Sequence, residues 1–246
     1  MKNKLFCLLL IVFSSKAQEI KKDTLSVNHK LNYKALIIPS LLIGYGFIGI
    51  ESDQIKGFNA EIKNELNENI DEKITIDDFS QYLPLASVYA LNAFGIKGKN
   101  NFNDRTIIAA TSYLLVSGSV MSIKSVTKVQ RPDGSSFNSF PSGHTATAFA
   151  GAELLWQEYK DVSVLYGISG FLVAAGTGYF RMYNDRHWLT DVAAGAGIGI
   201  LCTKTAYWLH PHIKKLFFNN QESNSTALIA PFYNGNQLGM SFVAQF

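Results

Sequence analysis

The sequence has 246 residues, of which 47% are apolar and 17% are charged, and its formal net charge is +3. This length allows one sizeable core and does not require two domains. The small net charge and the lack of a lysine- and arginine-rich block exclude nucleic acid as an expected partner, and the low charged fraction favours a protein in or at a membrane.

The first residues have the features of an export signal. Lys2 and Lys4 precede an apolar run over residues 5–13, and small residues follow it. This order is typical of a cleaved signal peptide, so we predict that residues 1–17 are removed and that residues 18–34 form a polar linker. An uncleaved short anchor is the alternative, although a helix of that length reaches only about 14 Å, roughly half the hydrocarbon thickness.

Residues 35–217 are predicted to fold as an all-α domain, a bundle of six helices. The apolar residues of these segments do not alternate with polar ones as they do in strands, and the last segment has closely spaced small residues that suit tight helix packing. The segments are short for membrane spans, so an embedded bundle and a compact soluble bundle both stay open. The predicted helices are residues 35–50, 82–96, 106–123, 144–158, 162–180 and 188–209.

Two stretches differ from these helices. Residues 51–80 are rich in acidic side chains without the regular spacing of calcium ligands, and we interpret them as a water-facing region. Residues 218–246 form a C-terminal tail in which two apolar runs flank Asn234-Gly235, a pattern that predicts a short β-hairpin.

Three short clusters of polar residues stand out between positions 124 and 191. Taken singly, each is ordinary surface or capping chemistry. Taken together they are ten specified identities in order within 68 residues, which excludes coincidence. The clusters are Lys124 with Arg131-Pro132, then Pro141-Ser142-Gly143-His144, then Arg181 with His187 and Asp191.

Several of these residues suit a phosphate group. Lys124, Arg131 and Arg181 can stabilise the charge that grows on the equatorial oxygens of a phosphate ester during transfer. Ser142 and Gly143 are predicted at a helix start, where free backbone N–H groups and the helix dipole also bind an anion. These five residues are therefore the predicted phosphate-binding groups.

Three other residues of the clusters suit the chemistry. His187 and Asp191 are four residues apart, so on a helix they would share one face, and Asp191 would accept the Nδ1 proton of the imidazole. Nε2 is then free as a nucleophile toward phosphorus. His144, from another helix, would protonate the leaving group and then activate water. The predicted reaction is hydrolysis of a phosphate ester through a phosphohistidine.

Two other interpretations of these residues fit the pattern less well. His144, His187 and Asp191 match one ligand set of catalytic zinc, but three nearby cations would repel a divalent ion, so no metal and no cofactor is predicted. A non-catalytic protein that only binds anionic headgroups would need no neutral imidazole backed by a carboxylate.

The clusters resemble the motifs of the type 2 phosphatidic acid phosphatase and vanadium haloperoxidase superfamily, Lys-x6-Arg-Pro, Pro-Ser-Gly-His and Ser-Arg-x5-His-x3-Asp. The sequence departs from this pattern at Phe180, where the family often has Ser, so one hydroxyl contact with phosphate is not expected. The resemblance implies an all-helical core with the clusters at one end, His187 as the nucleophile and His144 as the acid–base.

The expected partner is a lipid-linked phosphate or diphosphate, such as phosphatidate, phosphatidylglycerophosphate or a polyprenyl diphosphate. The expected location is the inner membrane with the active site facing the periplasm, which agrees with the positive-inside rule but conflicts with a cleaved signal peptide. A soluble periplasmic acid phosphatase acting on small esters is the alternative. Vanadate-dependent halide oxidation is disfavoured because haloperoxidases of the family are generally larger.

Overall fold

The computed structural model describes residues 33–68, 73–218, 226–233 and 238–245. The predicted signal peptide, and all but the last two residues of the predicted linker, lie outside these described residues.

The domain is all-α. The six predicted segments correspond to six of its helices, but the acidic stretch 51–80 adds two more, so the predicted number is too low. In chain order, a 3-10 turn η1 (Tyr33–Leu36) precedes α1 (Ile37–Glu51), α2 (Asp53–Asn67), α3 (Ile76–Ser80), α4 (Leu83–Ala93), α5 (Phe102–Thr127), α6 (Gly143–Tyr159), α7 (Val164–Tyr183) and α8 (Leu189–Phe218).

Two strands lie in the C-terminal tail. β1 (Thr226–Tyr233) pairs antiparallel with β2 (Leu238–Gln245), and the register places Thr226 opposite Gln245. The Asn-Gly turn predicted between them lies outside the described residues.

Side-chain caps set where several helices begin. The side chain of Ser52 accepts a hydrogen bond at the start of α2, and Asn101, Ser142 and Ser163 do the same for α5, α6 and α7. Each cap satisfies a backbone N–H that has no partner within its own helix. The cap at Ser142 fixes the first turn of α6, which bears His144.

Helix α6 is the centre of the bundle and contacts α4, α5, α7 and α8. Its buried residues include Ala146 and Ala150, both fully inaccessible to solvent. Helix α8 approaches α6 so closely that a Cβ added at Gly199 would lie 2.3 Å from the carbonyl oxygen of Ala146 and 2.8 Å from the nitrogen of Ala150. Only glycine permits this backbone separation.

A buried ion pair joins three helices at the C-terminal end of α6. Arg105 of α5 contacts Glu158 of α6 at 3.2 Å, and both side chains are about 1% exposed or less. Glu158 also accepts hydrogen bonds from Tyr207 of α8 and from Asn100, which precedes α5. Since α6 has 17 residues, this cluster lies roughly 25 Å from its N-terminal end.

Within the part of the chain that the structure describes, three helices are long and apolar enough, by length and composition, to cross a membrane. They are Tyr33–Glu51, Phe102–Thr127 and Leu189–Leu216. Large apolar side chains on α1, α5 and α7 are exposed, among them Leu41, Leu114 and Leu172. Such an apolar exterior suits contact with lipid.

The contact between α6 and α8 gives a test of the packing. Gly199→Ala forces a methyl group into the backbone of α6, so we expect a loss of about 1–3 kcal/mol in the free energy of unfolding. Gly118→Ala is the matched control because nothing lies within 4 Å of its added Cβ, and it should leave stability unchanged or raise it slightly. Thermal unfolding of the purified protein in detergent measures both; equal midpoints would contradict the packing.

Candidate active site

His187 and Asp191 form a buried pair at the start of α8. The distance from His187 Nδ1 to Asp191 Oδ2 is 3.4 Å, and both side chains are almost inaccessible to solvent. The prediction that they share a helix face is wrong in one respect, because α8 begins at Leu189 and His187 lies in the preceding connection. The pair therefore spans the helix start.

Asp191 is held by several groups besides His187. Its Oδ2 accepts hydrogen bonds from Ser139 Oγ at 2.5 Å and from the backbone nitrogen of Trp188 at 2.9 Å. Its main-chain oxygen accepts a bond from the nitrogen of Ser142 at 3.0 Å. Its Oδ1 is buried with no hydrogen-bond partner among the described residues. These bonds fix the carboxylate against the imidazole.

The environment of His187 favours its neutral form. The pKa of this imidazole is lowered to about 4, chiefly by burial; the charges of Lys124 and Arg181 act in the same direction, and Asp191 acts against them. A neutral imidazole whose Nδ1 faces a carboxylate has its lone pair on Nε2. The residue is thus in the protonation state that nucleophilic attack requires.

Lys124 and Arg131 are both tied to the segment that joins α5 to α6. Lys124, in the last turn of α5, donates to the carbonyl oxygens of Asn138 and Ser139. Arg131 Nε donates to Asn138 Oδ1 at 2.9 Å. Burial, and then repulsion by Arg181 and Arg186, lowers the pKa of the Arg131 guanidinium, which indicates that these cations lie near one another.

Arg181, in the last turn of α7, is buried against a carboxylate that the sequence did not predict. Its Nη1 lies 2.5 Å from Asp77 Oδ2, and Asp77 is 1% exposed. Asn184 donates to the other oxygen of Asp77 at 2.9 Å. Asp77 belongs to α3, so the interpretation of residues 51–80 as uniformly water-facing is wrong at this position.

His144 is the second residue of α6 and also contacts α3. Its Nε2 lies 3.0 Å from Asp78 Oδ1. Burial lowers the pKa of His144, as does the charge of Arg181, whereas Asp78 and Asp77 raise it. Arg181 therefore acts electrostatically on both His144 and His187, which brings the second and third sequence clusters to one site.

The start of α6 only partly matches the predicted anion site. The backbone nitrogen of Ser142 is already bonded to Asp191, and its hydroxyl accepts from Thr145, so Ser142 contributes structure and not a free N–H group. Gly143 is the first residue of the helix, and its N–H points out of the helix end. Of the two predicted residues, Gly143 keeps the geometry for binding an anion.

Helix α2 covers one side of His187. Asn59 Nδ2 donates to Thr190 Oγ1 at 2.9 Å, and Lys63 Nζ donates to the carbonyl oxygen of Pro132 at 2.9 Å. A small pocket lined by these two residues and by His187 and Trp188 lies between α2 and the start of α8. The acidic stretch thus contributes a helix that shields His187 from solvent.

The structure does not bring together the three residues of the alternative zinc site. Among the described residues, the group whose ligand atoms lie within 4.8 Å of one another is Asp77, Asp78 and His144, and not His144 with His187 and Asp191. Arg181 contacts both aspartates of that group at 2.5 and 3.8 Å, so its positive charge occupies the place of a cation. This charge arrangement suits an anionic ligand better than a divalent metal.

Sequence reasoning missed three polar residues of this site, Asp77, Asp78 and Ser139. The two aspartates stand between Ile76 and Phe79, an apolar context that distinguishes them from the rest of the acidic run. Ser139 lies two residues before the Pro-Ser-Gly-His cluster, and nothing in the sequence pattern points to its bond with Asp191.

Comparison with known proteins shows a similarity between the helices that bear the motifs and one protein family. The family model of the PAP2 superfamily matches residues 105–215. A lipid A 1-phosphatase from Porphyromonas gingivalis is 42% identical over 135 residues, which are 54% of this chain and 30% of that protein. The bacitracin transport permease protein BcrC from Bacillus licheniformis is 36% identical over 84 residues, 34% of this chain and 38% of that protein. The matched stretches thus span well under half of either relative.

Two solved structures are also similar. The crystal structure of Aquifex aeolicus LpxE aligns with a TM-score of 0.48 at 25% identity, covering 61% of this chain and 95% of that one. The crystal structure of a transmembrane PAP2-type phosphatidylglycerolphosphate phosphatase from Bacillus subtilis aligns with a TM-score of 0.44 at 20% identity, covering 75% and 99%.

The burial of His187 gives a test that needs no substrate. Because burial disfavours the imidazolium, the ring should titrate with a midpoint near 4 and not near its ordinary 6.5. In Asp191→Asn the midpoint should fall further, since the carboxylate is the group that favours the proton. Nuclear magnetic resonance of histidine-labelled protein in detergent follows the ring signals, and a midpoint at or above 6.5 would contradict the described environment.

Proposed function

We propose that the chain is a phosphatase that hydrolyses phosphate esters through a phosphohistidine, without a metal, and the match of the PAP2 superfamily model to residues 105–215 supports this. The observation that carries this proposal is the buried pair of His187 and Asp191, whose Nδ1 to Oδ2 distance is 3.4 Å, beside the cationic Arg181. A metal is not required, because the cations of the site supply the charge that stabilises a phosphoryl group.

In the first proposed step, Nε2 of His187 forms a bond to phosphorus while the ester P–O bond breaks. The electron pair of that bond goes to the leaving oxygen, which takes a proton from His144. In the second step, water attacks phosphorus and gives a proton to His144, and the P–N bond breaks to release orthophosphate and neutral His187. Between the two steps the imidazole ring is positively charged, and the carboxylate of Asp191 stabilises that charge.

The proposed phosphate subsite consists of Lys124, Arg131 and Arg181 with the N–H of Gly143. Arg131 and Arg181 present forked guanidinium groups, which match the geometry of phosphate oxygens. Lys124 and Arg131 are oriented by carbonyl and amide oxygens of the segment before α6, so little side-chain freedom is lost on binding.

We propose that the substrate is a lipid-linked phosphate or diphosphate. The 42% identical relative is a lipid A 1-phosphatase, which adds a lipid A phosphate to the candidates phosphatidate, phosphatidylglycerophosphate and polyprenyl diphosphate. On α7, Tyr179, Phe180 and Tyr183 form a cluster of aromatic rings with centroids 5.6 to 6.2 Å apart, adjacent to Arg181. These rings offer an apolar surface next to the phosphate subsite.

We also propose that the chain is an integral protein of the inner membrane with its active site facing the periplasm. Three long apolar helices and an exposed apolar exterior support the embedding. Lys97 and Lys99 lie in the connection between α4 and α5, and the N–H of Lys99 donates to the carbonyl oxygen of Glu158 near the C-terminal end of α6, opposite the site. The positive-inside rule would put that end in the cytoplasm.

The nucleophile gives the first test of the reaction. His187→Ala should lower phosphate release by ~10³-fold or more, because no other group can form the covalent intermediate. His212→Ala is the matched control, since His212 is exposed and stacks on Trp208 far along α8. Release is measured with each candidate lipid and a water-soluble ester, with chelator present. Full activity of the His187→Ala variant would disprove the mechanism. Loss of the wild-type activity when chelator is added would also disprove it.

The membrane location has its own test. If the apolar helices are embedded, the protein should stay in the membrane fraction after washes with high salt and with carbonate, and only detergent should release it. Immunoblotting of the washed membranes measures this. Release by carbonate would support the soluble periplasmic alternative instead.

A further inference from the structure

Helix α3 brings two consecutive carboxylates to the site, and the two have different surroundings. Asp77 is 1% exposed, forms an ion pair with Arg181 and accepts a hydrogen bond from Asn184. The side chain of Asp78 is 54% exposed and reaches His144, with Oδ1 lying 3.0 Å from Nε2 and 3.8 Å from Arg181 Nη1. The nearer group to Asp78 is therefore the imidazole of His144.

We propose that Asp78 is a positioning residue that orients His144 and keeps its proton available for the leaving oxygen. This proposal rests on the function proposed above, in which His144 is the general acid. Helix α3 is thereby part of the catalytic apparatus, although it lies outside the three sequence clusters and outside the matched residues 105–215.

The charges around His144 explain why such a residue is needed. The acid must enter the reaction as imidazolium, yet its burial and the nearby Arg181 both favour the neutral ring. The groups that act against them are Asp78, in direct contact, and Asp77, at longer range. Asp77 is already paired with Arg181, so Asp78 is the carboxylate that can hold the proton on His144.

The contact also assigns the two ring nitrogens. Because Nε2 donates to Asp78, the nitrogen left for the leaving group is Nδ1. In the first step the Nδ1 proton passes to the leaving oxygen, and His144 becomes neutral with its remaining proton on Nε2 against Asp78. In the second step Nδ1 takes a proton from the attacking water, which restores the imidazolium.

The same contact also allows a role for Asp78 that is opposite to positioning His144. A carboxylate beside Arg181 and His144 could occupy the place of a substrate phosphate and hinder its binding. The two roles differ in sign, because removing a hindering charge raises activity and removing a positioning charge lowers it.

The leaving group distinguishes a defect in the acid from a general defect. Phenyl phosphate needs a proton on its leaving oxygen, whereas 4-nitrophenolate leaves without one. Asp78→Asn should therefore lower kcat/KM by about tenfold or more for phenyl phosphate and by much less for 4-nitrophenyl phosphate. Glu65→Gln on α2 removes one exposed charge of the same sign and should change neither value.

A double-mutant comparison shows whether Asp78 acts through His144. If it does, adding Asp78→Asn to His144→Ala should cause no further loss of kcat/KM with phenyl phosphate. Asp78→Glu keeps the carboxylate and should retain the leaving-group dependence of the wild type. The thermal unfolding midpoints of all variants are compared in detergent, and they should agree because Asp78 is more than half exposed.

Three outcomes would overturn the proposal. They are an equal loss with both esters, a further loss in the His144→Ala background, and an increase in activity of Asp78→Asn, which would show that the carboxylate hinders binding. Each of these leaves the phosphohistidine mechanism intact provided that His187→Ala is inactive. An active His187→Ala would instead refute the proposed function itself.

Discussion

Positive charges gathered at one end of a helical bundle repel each other, and much of the site is arranged to hold them in place. Lys124 is tied to two carbonyl oxygens, Arg131 to the amide oxygen of Asn138, and Arg181 to the buried carboxylate of Asp77. Without these partners, buried or half-buried cations would turn toward water. The partners come from α3 and from the segment before α6, so both must be in place before the cations can converge.

Contacts farther along α6 supply the rigidity that this arrangement needs. The ion pair of Arg105 and Glu158, with Tyr207, joins α5, α6 and α8, and Gly199 lets α8 lie directly against the backbone of α6. The N-terminal end of α6 bears His144, and the start of α8 bears Asp191. Fixing two helices against each other along their length therefore fixes His144 relative to Asp191 and to His187, which contacts that carboxylate.

The sequence alone predicts the all-α class, the approximate bounds of six helices and the three polar clusters, because spacing and residue type carry that information. It does not predict α3, since a five-residue helix gives no periodicity and its aspartates resemble the solvated charges around them. It also does not tell whether His187 and Asp191 share a helix face, because a spacing of four suits either a helix or a helix start. The backbone bond from Ser142 to Asp191 depends on tertiary packing and has no local signal.

The proposed mechanism gives the two histidines of the site opposite tasks, and their surroundings differ accordingly. Helix α2 covers His187, and the charges of Lys124 and Arg181 act on its ring. Burial and these charges lower its pKa and favour the neutral ring, although the carboxylate of Asp191 contacts it. His144 lies nearer to solvent, and its carboxylate comes from the exposed face of α3. In each case an aspartate contacts one ring nitrogen and leaves the other for phosphorus chemistry. In the proposed mechanism, the deeper burial of His187 suits nucleophilic attack, whereas the contact of His144 with the half-exposed carboxylate of Asp78 suits proton transfer.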